Sequence, residues 1–133
     1  MPAVKNPPKV TPTIEKEIKE QLLSLSEEEK QVIVHCKYQA GLGGDLIRIW
    51  KSSFLYARDS SHKSVLINTQ KITIYPNWTP IQSNSSFHFT LIFSGLPRSC
   101  KTFDLIENIP EPGGFFVINI VRNNLDVYHI DLN

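Results

Sequence analysis

Net charge, cysteine and long apolar runs are all scarce in this sequence, and each scarcity excludes something. Fourteen Lys and Arg face thirteen Asp and Glu, a formal charge of +1. No global field draws the chain onto a polyphosphate or an anionic bilayer, and nucleic acid is excluded as a partner on charge. No apolar stretch reaches spanning length, and the opening residues MPAVKNPPKVTPTIEKEIKEQ show no basic region followed by an apolar one. The expectation is a soluble, cytoplasmic protein without membrane insertion. Two cysteines cannot build a disulfide framework, so Cys36 and Cys100 are expected as reduced, small apolar side chains.

What is present is ordinary globular material. The 133 residues suit one domain, and 41% hydrophobic with 20% charged residues is enough to build a core without staples. Residues 1–12 carry Pro2, Pro7, Pro8 and Pro12 with few apolar residues, which predicts an extended Pro-rich tail ahead of a single β-sandwich domain over 13–133. From Thr13 the pattern is two-valued. Ile14, Ile18, Leu22 and Leu25 share a helical face, whereas Gln21 to Leu25 also suits a strand. The polar segment Ser26 to Lys30, followed by β-branched and aromatic residues from Gln31 to Tyr38, favours a hairpin over a helix capped by Ser26 and Glu29.

Beyond Tyr38 the signals are uniformly β. Leu46–Trp50, Phe54–Ala57, Ser64–Ile67, Lys71–Tyr75, Ser86–Phe93 and Thr102–Glu107 are each bounded by turn residues, and Phe115–Val121 with Asp126–Leu132 reads as a closing hairpin. Phe87, Phe89, Leu91 and Phe93 alternate with Ser86, His88, Thr90 and Ile92, which places an aromatic row on one sheet face. Eight to ten short strands without long helices predict an all-β, antiparallel two-sheet sandwich.

The glycine-rich GLGGDLIRIW at 41–50 lacks the Lys and Ser or Thr of a nucleotide loop, and Asp45 would repel phosphate; it reads as a turn between strands. His35, His62, His88 and His129 show no metal-ligand spacing with one another or with the cysteines, so no metal or cofactor is expected. His35 and Cys36 are adjacent, and Asp104 and Glu107 are three apart; on a strand each pair faces opposite ways, so no catalytic residue is assigned. The sequons at Asn77 and Asn84 carry weight only in an exported chain.

The aromatics are more informative. Trp78 lies between Pro76 and Pro80 in a loop of few conformations, a favourable setting for a binding anchor. Pro110 and Pro112 stiffen a second loop, and Gly113-Gly114 turns it into Phe115 and Phe116, of which strand alternation sends one outward. Trp78, Pro110, Pro112, Phe115 and Phe116 are the candidate surface for a protein partner or a second copy of the chain. The alternative is a small-ligand cleft or weak enzyme site near Gly41–Gly44, with Asp45, Arg48 and His88 as its polar groups.

The phrases GDLIRIWKSSFL at 44–55, ITIYPNWTPI at 72–81, FTLIFSGLPRSCKTFDLIENIPEPGGF at 89–115 and NNLDVYHI at 123–130 resemble a small uncharacterised bacterial family of immunoglobulin-like β-sandwiches. Looser versions precede thioredoxin-like domains in some bacterial envelope proteins. The resemblance implies a non-catalytic immunoglobulin-like sandwich of unknown function and brings no catalytic residues. The chain has no CxxC, so no redox activity is carried over.

Overall fold

The structure, a computed structural model, describes residues 30–133. The Pro-rich tail, the helix-or-strand question over 13–25 and the hairpin turn before residue 30 lie outside the described residues. Those described form nine strands and no helix. In chain order they are β1 (Val32–Gln39), β2 (Asp45–Ile47), β3 (Ser53–Ala57), β4 (Lys63–Gln70), β5 (Thr79–Ile81), β6 (Ser86–Phe93), β7 (Thr102–Glu107), β8 (Phe116–Val121) and β9 (Val127–Asp131). Seven make one curled sheet in the order β8-β7-β3-β4-β6-β1-β9, and β2 pairs with β5 in a small second sheet.

The curl comes from β4. Its first residues pair with β3 (Tyr56 opposite Lys63, Phe54 opposite Val65), and its later residues pair with β6 (Thr69 opposite Leu91, Gln70 opposite Thr90). A register shift between Leu66 and Asn68 marks the hand-over, the local bend a bulge provides. Inside the curl lie the alternate residues of the long strands: Val32, Val34 and Cys36 of β1, Phe89, Leu91 and Phe93 of β6, Phe103 and Leu105 of β7, and Leu55 of β3. The aromatic row expected on β6 is thus the core row. Phe103 meets Tyr128 edge to face at 5.1 Å between ring centres.

Three expectations are corrected. Phe115–Val121 and Asp126–Leu132 do not close a hairpin: β8 pairs antiparallel with β7 at one end of the sheet, while β9 runs parallel to β1 at the other. The Asn-rich turn looked like a hairpin because it reverses the chain, but that reversal carries the chain across the core to another edge. The main sheet is therefore mixed rather than antiparallel throughout. The strand expected over Lys71–Tyr75 reduces to a single bridge between Ile49 and Ile74, because Lys71 takes a φ of 75° and breaks the extended run.

One polar hub secures the crossing from β8 to β9. Asp126, 1% exposed, accepts hydrogen bonds from Arg122 and from the Tyr128 hydroxyl at 2.9 Å, with the Lys30 ammonium 3.6 Å away. The same Arg122 donates to the carbonyls of Leu96, Pro97 and Cys100, tying the 96–100 loop to the β8–β9 crossing. Burial alone would raise the Asp126 carboxyl, but the Arg122 and Tyr128 hydrogen bonds and the charges of Arg122 and Lys30 outweigh it and hold the group below its ordinary value. The glycine loop is the turn its sequence predicts. Gly43 and Gly44 have φ of 86° and 80°, and a Cβ on Gly44 would sit 2.5 Å from the Ile81 carbonyl oxygen.

Candidate interaction surface

The surface grows from one backbone contact. Ile49, fully buried, donates from its N–H to Thr73 O at 2.9 Å and accepts from Tyr75 N–H at 2.8 Å, which draws 48–50 against 73–78. Arg48 and Trp50, two apart, emerge on one side of that bridge. The 73–79 loop is held from within, since the Thr73 hydroxyl meets Asn77 O at 3.0 Å and the Thr79 hydroxyl at 2.8 Å.

A stack results. The Trp50 and Tyr75 rings lie 3.8 Å apart, 25° from parallel. The Arg48 guanidinium carbon sits 4.5 Å from the Tyr75 ring centre and 3.6 Å from that of Trp78. Arg48 is anchored by a 3.0 Å hydrogen bond to Pro76 O and a 3.5 Å ion pair with Glu111 on the facing loop, while its buried Nε has no hydrogen-bond partner. A delocalised guanidinium suits such a face-on position. Trp78 is nevertheless 47% exposed, one face on Arg48 and the other toward solvent.

Glu107 fixes the far wall. One carboxylate oxygen accepts from Trp50 N–H and the other from Phe115 N–H, both at 2.9 Å, although the residue is 7% exposed. Burial raises its carboxyl above the ordinary value against the pull of those two hydrogen bonds. Between the walls lies a cavity of about 220 Å³ lined by Arg48, Trp50, Trp78, Glu111, Pro112 and Phe115, among others.

Of the expected surface residues, the fold brings Trp78, Pro112 and Phe115 to this cavity and separates the rest. Phe115 turns inward against Tyr38 and Phe89, with ring centres at 6.5 and 6.2 Å, whereas Phe116 is 64% exposed on the outer face of the sheet. There it continues a row across four strands, Phe116 opposite Ile106, Ile106 opposite Phe54 and Phe54 opposite Val65. Pro110 is exposed on the loop between. The alternative cleft residues do not share one cavity. Asp45 accepts from the Tyr38 hydroxyl and from Gly41 N–H, both at 3.2 Å, Arg48 belongs to the aromatic stack, and His88 lines a separate groove.

Sequence reasoning missed Tyr75, Glu107 and Glu111. The density of aromatics at 50, 75 and 78 pointed toward Tyr75, but neither carboxylate could be paired with its partners without knowing that the 108–115 loop folds over Trp50. The Cys36 thiol, buried and pushed up to about 12, stays protonated at neutral pH and is no nucleophile. No helix among the described residues is long and apolar enough to cross a membrane. In comparisons with known proteins, no family model, no curated protein and no solved structure matches this chain.

Proposed function

We propose that the chain is a non-catalytic, cytoplasmic interaction module, an immunoglobulin-like sandwich of the bacterial family its phrases resemble, which presents an aromatic loop surface to a protein partner or to a second copy of itself. The observation that carries this reading is Trp78, half in solvent yet held flat against a guanidinium that is itself anchored at two points. An aromatic anchor fixed before binding loses little conformational freedom on binding, which is why Trp and Arg dominate interface hot spots.

The test compares wild-type chain with Trp78→Ala and, separately, Phe116→Ser, each shown to be folded by circular dichroism. Capture of a defined protein or of untagged copies of the chain, lost with Trp78→Ala and kept with Phe116→Ser, supports the loop surface. The reverse pattern moves the interface to the outer sheet face. Capture unaffected by either variant overturns the reading. A small-ligand-binding domain or weak enzyme is the second reading, favoured by the unpartnered Arg48 Nε beside the 220 Å³ cavity. A metabolite screen by thermal shift, repeated on Arg48→Met, separates the two.

A further inference from the structure

A second cavity lies away from the aromatic surface. It is a groove of about 580 Å³ on the outer face of β4, β6, β1 and β9. Register builds its floor. Gln70 is opposite Thr90, Thr90 opposite His35 and His35 opposite His129, one polar residue from each of four neighbouring strands. One step along, His88 is opposite Lys37 and Lys37 opposite Asp131. Lys71, held at a φ of 75° just after β4, also lines the groove.

We propose that this groove binds an oxyanion group, a phosphate or sulfate carried on a small organic molecule. Its lining holds two ammonium groups, three imidazoles, an amide and a hydroxyl against one carboxylate, Asp131. Two of the imidazoles are held in place within the groove. His35 Nδ1 meets the Thr90 hydroxyl at 2.9 Å, which leaves Nε2 for a ligand, and its ring stacks on that of His129 at 5.0 Å. A metal dication fits less well, because it would face Lys37 and Lys71, and among the described residues no three His, Cys, Asp or Glu side chains converge as a metal site. The groove is roomier than a bare oxyanion needs, so an organic body accompanies the charged group.

The experiment is a titration of the ¹⁵N-labelled chain followed by NMR, with inorganic sulfate and, separately, with phenyl phosphate, both at neutral pH. Saturable shifts at Lys37, His88 and His129 are expected with both ligands. Lys37→Gln should weaken both ligands by roughly tenfold, and Asp131→Asn should tighten them by about threefold. His62→Ala should change nothing, since His62 bonds Ser64 and Gly95 elsewhere. Shifts that do not saturate, or that survive Lys37→Gln, overturn the site. Binding of sulfate without phenyl phosphate overturns the organic ligand. Zinc binding at His35 and His129 with no anion response makes it a metal site instead.

Discussion

Arg122 and Arg48 are both largely withdrawn from solvent, both reach across the chain to backbone carbonyls, and they do opposite jobs. Arg122 meets a fully buried carboxylate, and the Tyr128 hydroxyl adds a further hydrogen bond to it. Arg48 meets an exposed carboxylate at long range, three aromatic faces and one carbonyl, and keeps one nitrogen unpartnered. A buried guanidinium with a matched counter-charge fixes a crossing of the chain. One matched mainly by aromatic faces instead organises a surface whose outer side stays open.

The sharpest way to break this contrast is at Asp126. Asp126→Asn leaves Arg122 without its counter-charge and should cost about 3–5 kcal/mol, read from urea unfolding. The same carboxyl governs acid stability. Because its folded value is depressed, its contribution is complete above the ordinary carboxylate range and is lost as pH falls through the folded value, so Asp126→Asn should flatten the acid limb of a stability profile.

Next in size is Glu107→Gln. A Gln oxygen can accept from only one of the two N–H groups of Trp50 and Phe115, and the loss should be about 1–3 kcal/mol at neutral pH. The sign with pH is opposite to that of Asp126. Burial raises Glu107, so its ionised form carries a penalty that is relieved as pH falls through the raised value; the wild type gains stability there, Gln does not titrate, and the difference between them should widen. A cost of Glu107→Gln that shrinks on acidification would contradict the assignment.

Arg48→Met keeps the apolar stem and removes the cation, with an expected loss of about 0.5–2 kcal/mol. Its clearer signature is optical. In a Trp50→Phe background the Trp78 emission should become more accessible to acrylamide, whereas an unchanged quenching constant would mean that Arg48 does not hold the indole. Smallest of all is Glu111→Gln, expected within about 0.5 kcal/mol because the pair is exposed and long. A larger, salt-sensitive loss would promote Glu111 to an anchor of the stack.

The strands were legible where one face is buried and the other wet. Ser86–Phe93 and Thr102–Glu107 coincide with β6 and β7, because strict alternation leaves one register that buries Phe89, Leu91, Phe93, Phe103 and Leu105. Pairing order was not legible, since β9 beside β1 depends on the route of the Arg122–Asp126 crossing rather than on the composition of either strand. The candidate surface was half legible. Trp78 and its prolines announced a constrained loop, and alternation foretold that one of Phe115 and Phe116 would face outward. That Phe115 and Phe116 serve different faces follows from the strand direction at Gly114, which no local pattern specifies. Arg48 stood in the sequence beside Asp45, but its partners are Trp78 and Glu111, brought by two separate loops.

The parallel pairing of β9 with β1 has a kinetic consequence. The first described strand is completed along one edge only by residues 127–131, nearly a hundred positions later. Contacts of such sequence separation slow folding, because a long loop must close before it is rewarded. During synthesis β1 can therefore find β6 but must wait with its other edge open until the last of these residues clears the ribosome. Chains arrested before residue 127 should be aggregation-prone intermediates, with the open strand Val32–Gln39 as the sticky edge.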